Sequence, residues 1–84
     1  MTYRIFTEDV GRRADTAVLV SKYFDSFSLY PIQGYWKGQS ENSIVIEVAG
    51  VDEARVHELA QAIKTAHNQQ AVLIEKHETI SELV

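Results

Sequence analysis

The run Gly34-Tyr35-Trp36-Lys37-Gly38-Gln39-Ser40-Glu41-Asn42-Ser43-Ile44-Val45-Ile46-Glu47-Val48 decides the architecture. Its last five residues set Ile44, Ile46 and Val48 against Val45 and Glu47, the period of two expected of a strand with one buried face. Its first five are extended and rich in aromatic side chains. The polar stretch between them, residues 39–43 with Glu41 inside, reads as a turn, and the whole as a hairpin. The second strand supplies core. The first strand and the turn carry more aromatic and polar chemistry than a small core requires, so this is where function is expected.

Upstream, residues 28–37 read as extended. Pro31 has no backbone N–H to give to a ladder, which makes this strand an edge or locally irregular, and an unblocked edge is a pairing surface for aggregation or for assembly. Residues 10–24 read as a helix with a stripe of Val10, Ala14, Ala17, Val18, Ser21 and Phe24, widened by Val20, Tyr23 and Phe27. Asp9 is a candidate cap, and Ala14 and Ala17 let the helix sit close to a sheet. Residues 2–6 alternate as a first strand. Downstream, Gly50 ends the hairpin and Asp52 is a good N-cap. Val56, Leu59, Ala60, Ile63 and Ala66 recur at helical steps from residue 53 to about 67, and Asn68 is a stop signal. Residues 71–75 read as the last strand, and residues 77–84 as a further short strand or a docked turn.

Strand, helix, strand, strand, helix, strand is the split βαβ order of the ferredoxin-like class. The expectation is one α+β domain over residues 1–84: a βαββαβ chain forming a four-stranded antiparallel sheet with two helices on one face. The helices are expected to bury Ile44, Ile46, Val48, Val72 and Ile74, or the opposite alternation. Apolar residues remain on the uncovered face either way, so an oligomer whose sheets meet is expected.

With 84 residues, such a chain buries only about two thirds of its extended surface. There is no cysteine, hence no disulfide or thiolate metal site to compensate, so either the core is compact and well packed or oligomerisation supplies the missing burial. A net charge of −4 with Arg12-Arg13 as the one basic pair argues against nucleic acid, since phosphate contacts need clustered Lys and Arg. No apolar run approaches a membrane span, and the N-terminus MTYRIFTEDV lacks a signal-peptide pattern; a cytoplasmic protein is expected. His57, His67 and His77 are ten apart without a metal-binding motif, and read as solvated or helix-end residues. No phosphate loop or nucleophile elbow is present, and neither a metal nor a cofactor is expected.

Tyr35 and Trp36 read two ways: as rings that pack and cover a small sheet, or as a stacking platform or cation–π wall. Glu41 likewise is either a solvated turn carboxylate or one that meets a cation beside the aromatic pair, with Glu8 and Glu47 adding to its field. Gln33 and Ser43 complete the candidate binding set with Tyr35 and Trp36.

From Glu41 onward, roughly half the chain resembles the bacteriophage S-adenosylmethionine lyases, once called hydrolases, among the small PII-like phage proteins. The resemblance rests on Glu41 ahead of Ser43-Ile44-Val45-Ile46, on the alanine-rich helix from Ala54 to Ala66, and on Gln70-Ala71-Val72-Leu73-Ile74-Glu75-Lys76 with Thr79 and Leu83-Val84. The first half matches in outline, as a strand and a helix. The resemblance implies a PII-like homotrimer in the host-cell cytoplasm. It implies that S-adenosylmethionine, held between subunits, is converted to methylthioadenosine and homoserine lactone. The family's functional glutamate carries over to Glu41. In that chemistry the substrate's own carboxylate attacks its γ-carbon, so positioning supplies the rate. A carboxylate against the sulfonium would stabilise the reactant, so Glu41 is expected near the substrate ammonium.

Two other functions are compatible with the same residues. One is a non-enzymatic binder, a phage sponge for a nucleotide signal or a PII-like regulator; the acidic balance favours a cationic ligand over an anionic nucleotide. The other is a partner-binding module that adds a peptide strand at the Pro31 edge.

Overall fold

The computed structural model describes residues 1–9, 13–69, 71–78 and 82, with Trp36 described in its backbone alone. The elements are β1 (Thr2–Glu8), α1 (Arg13–Ser21), β2 (Ser28–Trp36), β3 (Gln39–Ala49), α2 (Glu53–Ala66) and β4 (Leu73–His77). The strands form one antiparallel sheet in the order β2-β3-β1-β4, so the ferredoxin-like βαββαβ layout is the one observed. As Pro31 suggested, β2 is an edge strand.

Leu29, Ile46, Ile5 and Ile74 stand abreast across all four strands. Val48 and Tyr3 form the next rung, and Ile44 and Thr7 the one beyond. Both helices lie over this face: Val20 and Phe24 at the α1 end pack into the same core as Val56, Leu59, Ala60 and Ile63 of α2. Ile5, Ile46, Val20, Val56, Leu59 and Ile63 are wholly sealed from solvent. Asp52 caps α2 as expected, its side chain accepting from the Ala54 N–H at 3.1 Å. Asn68, with φ of 53°, turns the chain out of the helix.

Three sequence expectations are corrected. Residues 39–43 are not a turn. The turn is Lys37-Gly38, with φ of 50° and 79°, a two-residue mirror turn whose twist matches the strands. Gln39 and Trp36 are already paired strand residues, and Glu41 lies inside β3, opposite Gly34. The polar composition that suggested a turn reflects solvent on both sides: the β2–β3 ribbon runs on past the β1–β3 pairing, which ends at Glu8 and Ser43.

In α1, Ala14 is exposed and Val18 is 59% exposed, while Thr16 and Val20 are buried. The inward stripe is therefore Thr16-Val20-Phe24, rotated from the one expected, because a threonine fills a core-facing position. Val10 lies outside the described residues. The last strand begins at Leu73, two residues later than expected, since Leu73 is the residue that pairs with Phe6. Of the tail beyond Glu78, only Glu82 is among the described residues.

The uncovered face carries a second apolar row: Tyr30, Val45, Phe6 and Leu73 abreast, with Ile32 one rung along. Leu73 is 59% exposed. This is the apolar remainder that the sequence required on the face without helices.

Candidate functional site

At one end of the uncovered face, β1 stops at Glu8 beside Ser43, and Glu41 follows on the same face of β3, opposite Gly34. The chain returning from α2 passes the other side of β1. Together they frame a groove of about 450 Å³ in which Glu8, Glu41, Ser43, Phe6, Leu73 and Gln69 take part. Among the described residues no basic side chain lines it. Two exposed carboxylates and a hydroxyl over an apolar floor suit a small cation with an apolar body. A carboxylate and a cation about 4 Å apart attract by roughly 4 kcal/mol at an effective dielectric near 20.

Glu8 shares the groove with Glu41, whereas Glu47 is held by Arg4 and Tyr30. The Arg4 Nε–H donates to Glu47 Oε2 at 2.7 Å and the Tyr30 hydroxyl donates to the same oxygen at 3.2 Å. The bond from Arg4 holds the Glu47 carboxyl below its usual range, and the bond from Tyr30 adds to this. Partial burial raises the Tyr30 hydroxyl, with the Glu47 carboxylate adding to the rise. Because the folded chain depresses the Glu47 pKa, the pair's stabilisation is complete above the unfolded value. It is lost as pH falls through the lower folded value. Glu47→Gln is therefore expected to lower the urea midpoint near neutrality and to flatten the acid limb of a plot of that midpoint against pH, the two curves converging at about pH 3. An unchanged acid limb would show that the pair contributes nothing to stability.

The structure divides the remaining candidates. Ser43 shares the groove with Glu41. Gln33 and Tyr35, opposite Asn42 and Ser40, lie on the other side of the ribbon, and Tyr35 is 73% exposed. Trp36 is paired with Gln39 at the turn, and its side chain lies outside the described residues. Among the histidines, His57 is exposed and His77 Nε2 lies 3.0 Å from Glu75 Oε1. His67, expected as solvated or helix-end, does cap α2 but is half-buried, and both ring nitrogens are engaged. Its Nδ1 is 3.1 Å from Thr7 Oγ1 and its Nε2 is 3.3 Å from Thr16 Oγ1. Thr7 in turn donates to Gln69 Oε1 at 2.5 Å. Of these four residues, Thr7, Thr16 and Gln69 were missed from the sequence. The available signal was two threonines at core-facing positions of β1 and α1, since buried hydroxyls require polar partners.

Among the described residues no helix is long and apolar enough to cross a membrane, and no group of three or more acidic or histidine side chains is arranged to hold a metal ion.

No family model and no curated protein matches the chain. Solved structures do. The chain is similar to a nitrogen regulatory PII-like protein from Thiomonas intermedia K12, solved with ADP, AMP and bicarbonate. The TM-score is 0.66 at 14% identity, over 99% of this chain and 93% of that one. It is similar to a phage S-adenosylmethionine lyase in its apo state, with a TM-score of 0.58 at 20% identity, over 87% of this chain and 75% of that one. It is also similar to CutA1 from Pyrococcus horikoshii OT3, with a TM-score of 0.57 at 19% identity, over 98% of this chain and 88% of that one. At such identities the likeness shows the fold alone, a ferredoxin-like domain.

Proposed function

We propose that the protein binds S-adenosylmethionine in this groove, completed by neighbouring copies of the chain, and converts it to methylthioadenosine and homoserine lactone. The observation that carries this reading is that Glu41 and Glu8 share a groove in which no described basic side chain takes part, at the end of an apolar sheet face that no described helix covers. The likeness in fold to a phage S-adenosylmethionine lyase supports it.

Glu41 takes the substrate ammonium and fixes the amino-acid arm. The substrate carboxylate oxygen attacks the γ-carbon, the carbon–sulfur bond breaks, and its electron pair leaves on sulfur as a neutral thioether. No proton has to move and no protein nucleophile is consumed, so orientation in a site stripped of water supplies the rate. The row of Tyr30, Val45, Phe6 and Leu73 is the surface on which copies meet, in a homotrimer. Gln33 and Tyr35 face away from their own chain's Glu41, so on this reading they serve a neighbour's pocket, with Trp36 in the same segment.

A second reading is binding without turnover. The PII-like structure solved with ADP, AMP and bicarbonate favours it, while the acidic lining of the groove weighs against anionic nucleotides. One experiment separates the two: incubation with S-adenosylmethionine, chromatography for methylthioadenosine, and sedimentation of the same sample. Methylthioadenosine from a trimer is the expected result. Binding without product selects the second reading, and no binding removes both.

A further inference from the structure

Gln69 lines the groove and is the end of a chain of hydrogen bonds that starts in the core. With the Gln69 amide oxygen placed against the Thr7 hydroxyl, counting protons gives its direction. A threonine hydroxyl has a single proton to give, and Thr7 gives it to Gln69 Oε1. The contact between Thr7 Oγ1 and His67 Nδ1 must then be donated by the ring, so His67 carries its proton on Nδ1. In the neutral ring that leaves Nε2 as an acceptor, filled by the Thr16 hydroxyl. Thr16 gives to His67, His67 to Thr7 and Thr7 to Gln69, each proton used once. Thr7 and Thr16 are 3% and 2% exposed, so water has little access to these bonds.

The consequence falls on the amide of Gln69. With its oxygen turned inward to Thr7, its Nε2 amide group is turned away from the core. No described residue accepts from that group, and no buried side-chain nitrogen or oxygen among the described residues lacks a partner, so the group is open to solvent. Since Gln69 lines the groove with Glu8 and Glu41, its amide is available as a donor beside those two acceptors.

We infer that Gln69 is a specificity-determining residue, oriented by Thr7, His67 and Thr16, that receives the carboxylate of a ligand whose ammonium meets Glu41. The groove selects an α-amino-acid head carrying both charges. This rests on the reading of the groove as a ligand site. It also extends the mechanism: one N–H on the substrate carboxylate aims that group while leaving its second oxygen free to attack.

Binding of S-adenosylmethionine and of its decarboxylated form to wild type and to Gln69→Glu, read by stopped-flow intrinsic fluorescence before turnover, tests the inference. The variant keeps an acceptor for Thr7 but offers the groove an oxygen where it had a donor. Wild type is expected to prefer S-adenosylmethionine about tenfold, the scale of one hydrogen bond to a charged group, and Gln69→Glu to abolish that preference while still binding the decarboxylated form. If S-adenosylmethionine binds but the preference is absent from wild type or survives in the variant, this inference falls and the proposed function stands. If neither compound binds wild type, both fall. Circular dichroism of the variant shows whether it has folded; should it not, Gln69→Met, which removes the donor without adding charge, must lose the preference by the same measure.

Discussion

Exchanging Glu41 for glutamine is expected to slow methylthioadenosine formation about 10²-fold, the scale on which losing the alignment of reacting groups acts, with the unfolding midpoint unmoved. The two halves of this expectation have separate sources. Glu41 is exposed and takes no part in the core, and its backbone pairing to Gly34 is indifferent to the side chain. Glutamine keeps the shape and the acceptor oxygen but loses the charge that meets an ammonium. The loss should fall on kcat/KM, and adding salt should not reproduce it if the site is closed by neighbouring copies. Full activity in the variant would remove Glu41 from the reaction. A lost fold would mean that the residue is structural instead.

The opposite pattern is expected at Ile5. Ile5→Ala should destabilise the chain by about 2–5 kcal/mol, the range for emptying a sealed aliphatic site. Ile5 has no exposed surface and sits between Ile46 and Ile74 on the central strand, where neighbours held in a ladder on both sides cannot close the void. Domains of this size have only about 5–15 kcal/mol in total. A Tm lowered by at least about 8 °C is expected, read by thermal melting, and the same loss should weaken any trimer by distorting the sheet. A change below about 1 kcal/mol would mean that the site collapses around the alanine.

The layout was legible because three signals agreed: alternation at Ile44, Ile46 and Val48, helical recurrence from Val56 to Ile63, and the Asp52 cap. What was not legible shares one cause, which is that polarity was taken for loop. Gln39 to Ser43 are polar because the ribbon is wet on both faces, and composition alone cannot separate that from a turn. Thr16 looked like an outer residue because its partner, His67, is 51 positions away. Placing the turn at Lys37-Gly38 would have set the register, and alternation would then have put Glu41 with Ser43 and set Tyr35 and Gln33 on the other side. The meeting of Glu8 with Glu41, and of Gln69 with both, depends on the order of strands and on the path out of α2, which no local pattern contains.

The overhang of the hairpin gives the groove two unlike walls. Ser43 belongs to the body of the sheet, paired to Ile32 on one flank and to Glu8 on the other. Glu41 stands on a ribbon that has lost its third strand, fastened there by little more than the Asp9 N–H to Asn42 carbonyl bond at 2.9 Å. Strands bonded on one flank open more readily than those bonded on two. Amide exchange should therefore quicken along β3 from Ile46 toward Ser40, like a ruler clamped at one end. A guest in the groove would find one side already still and need quiet only the other.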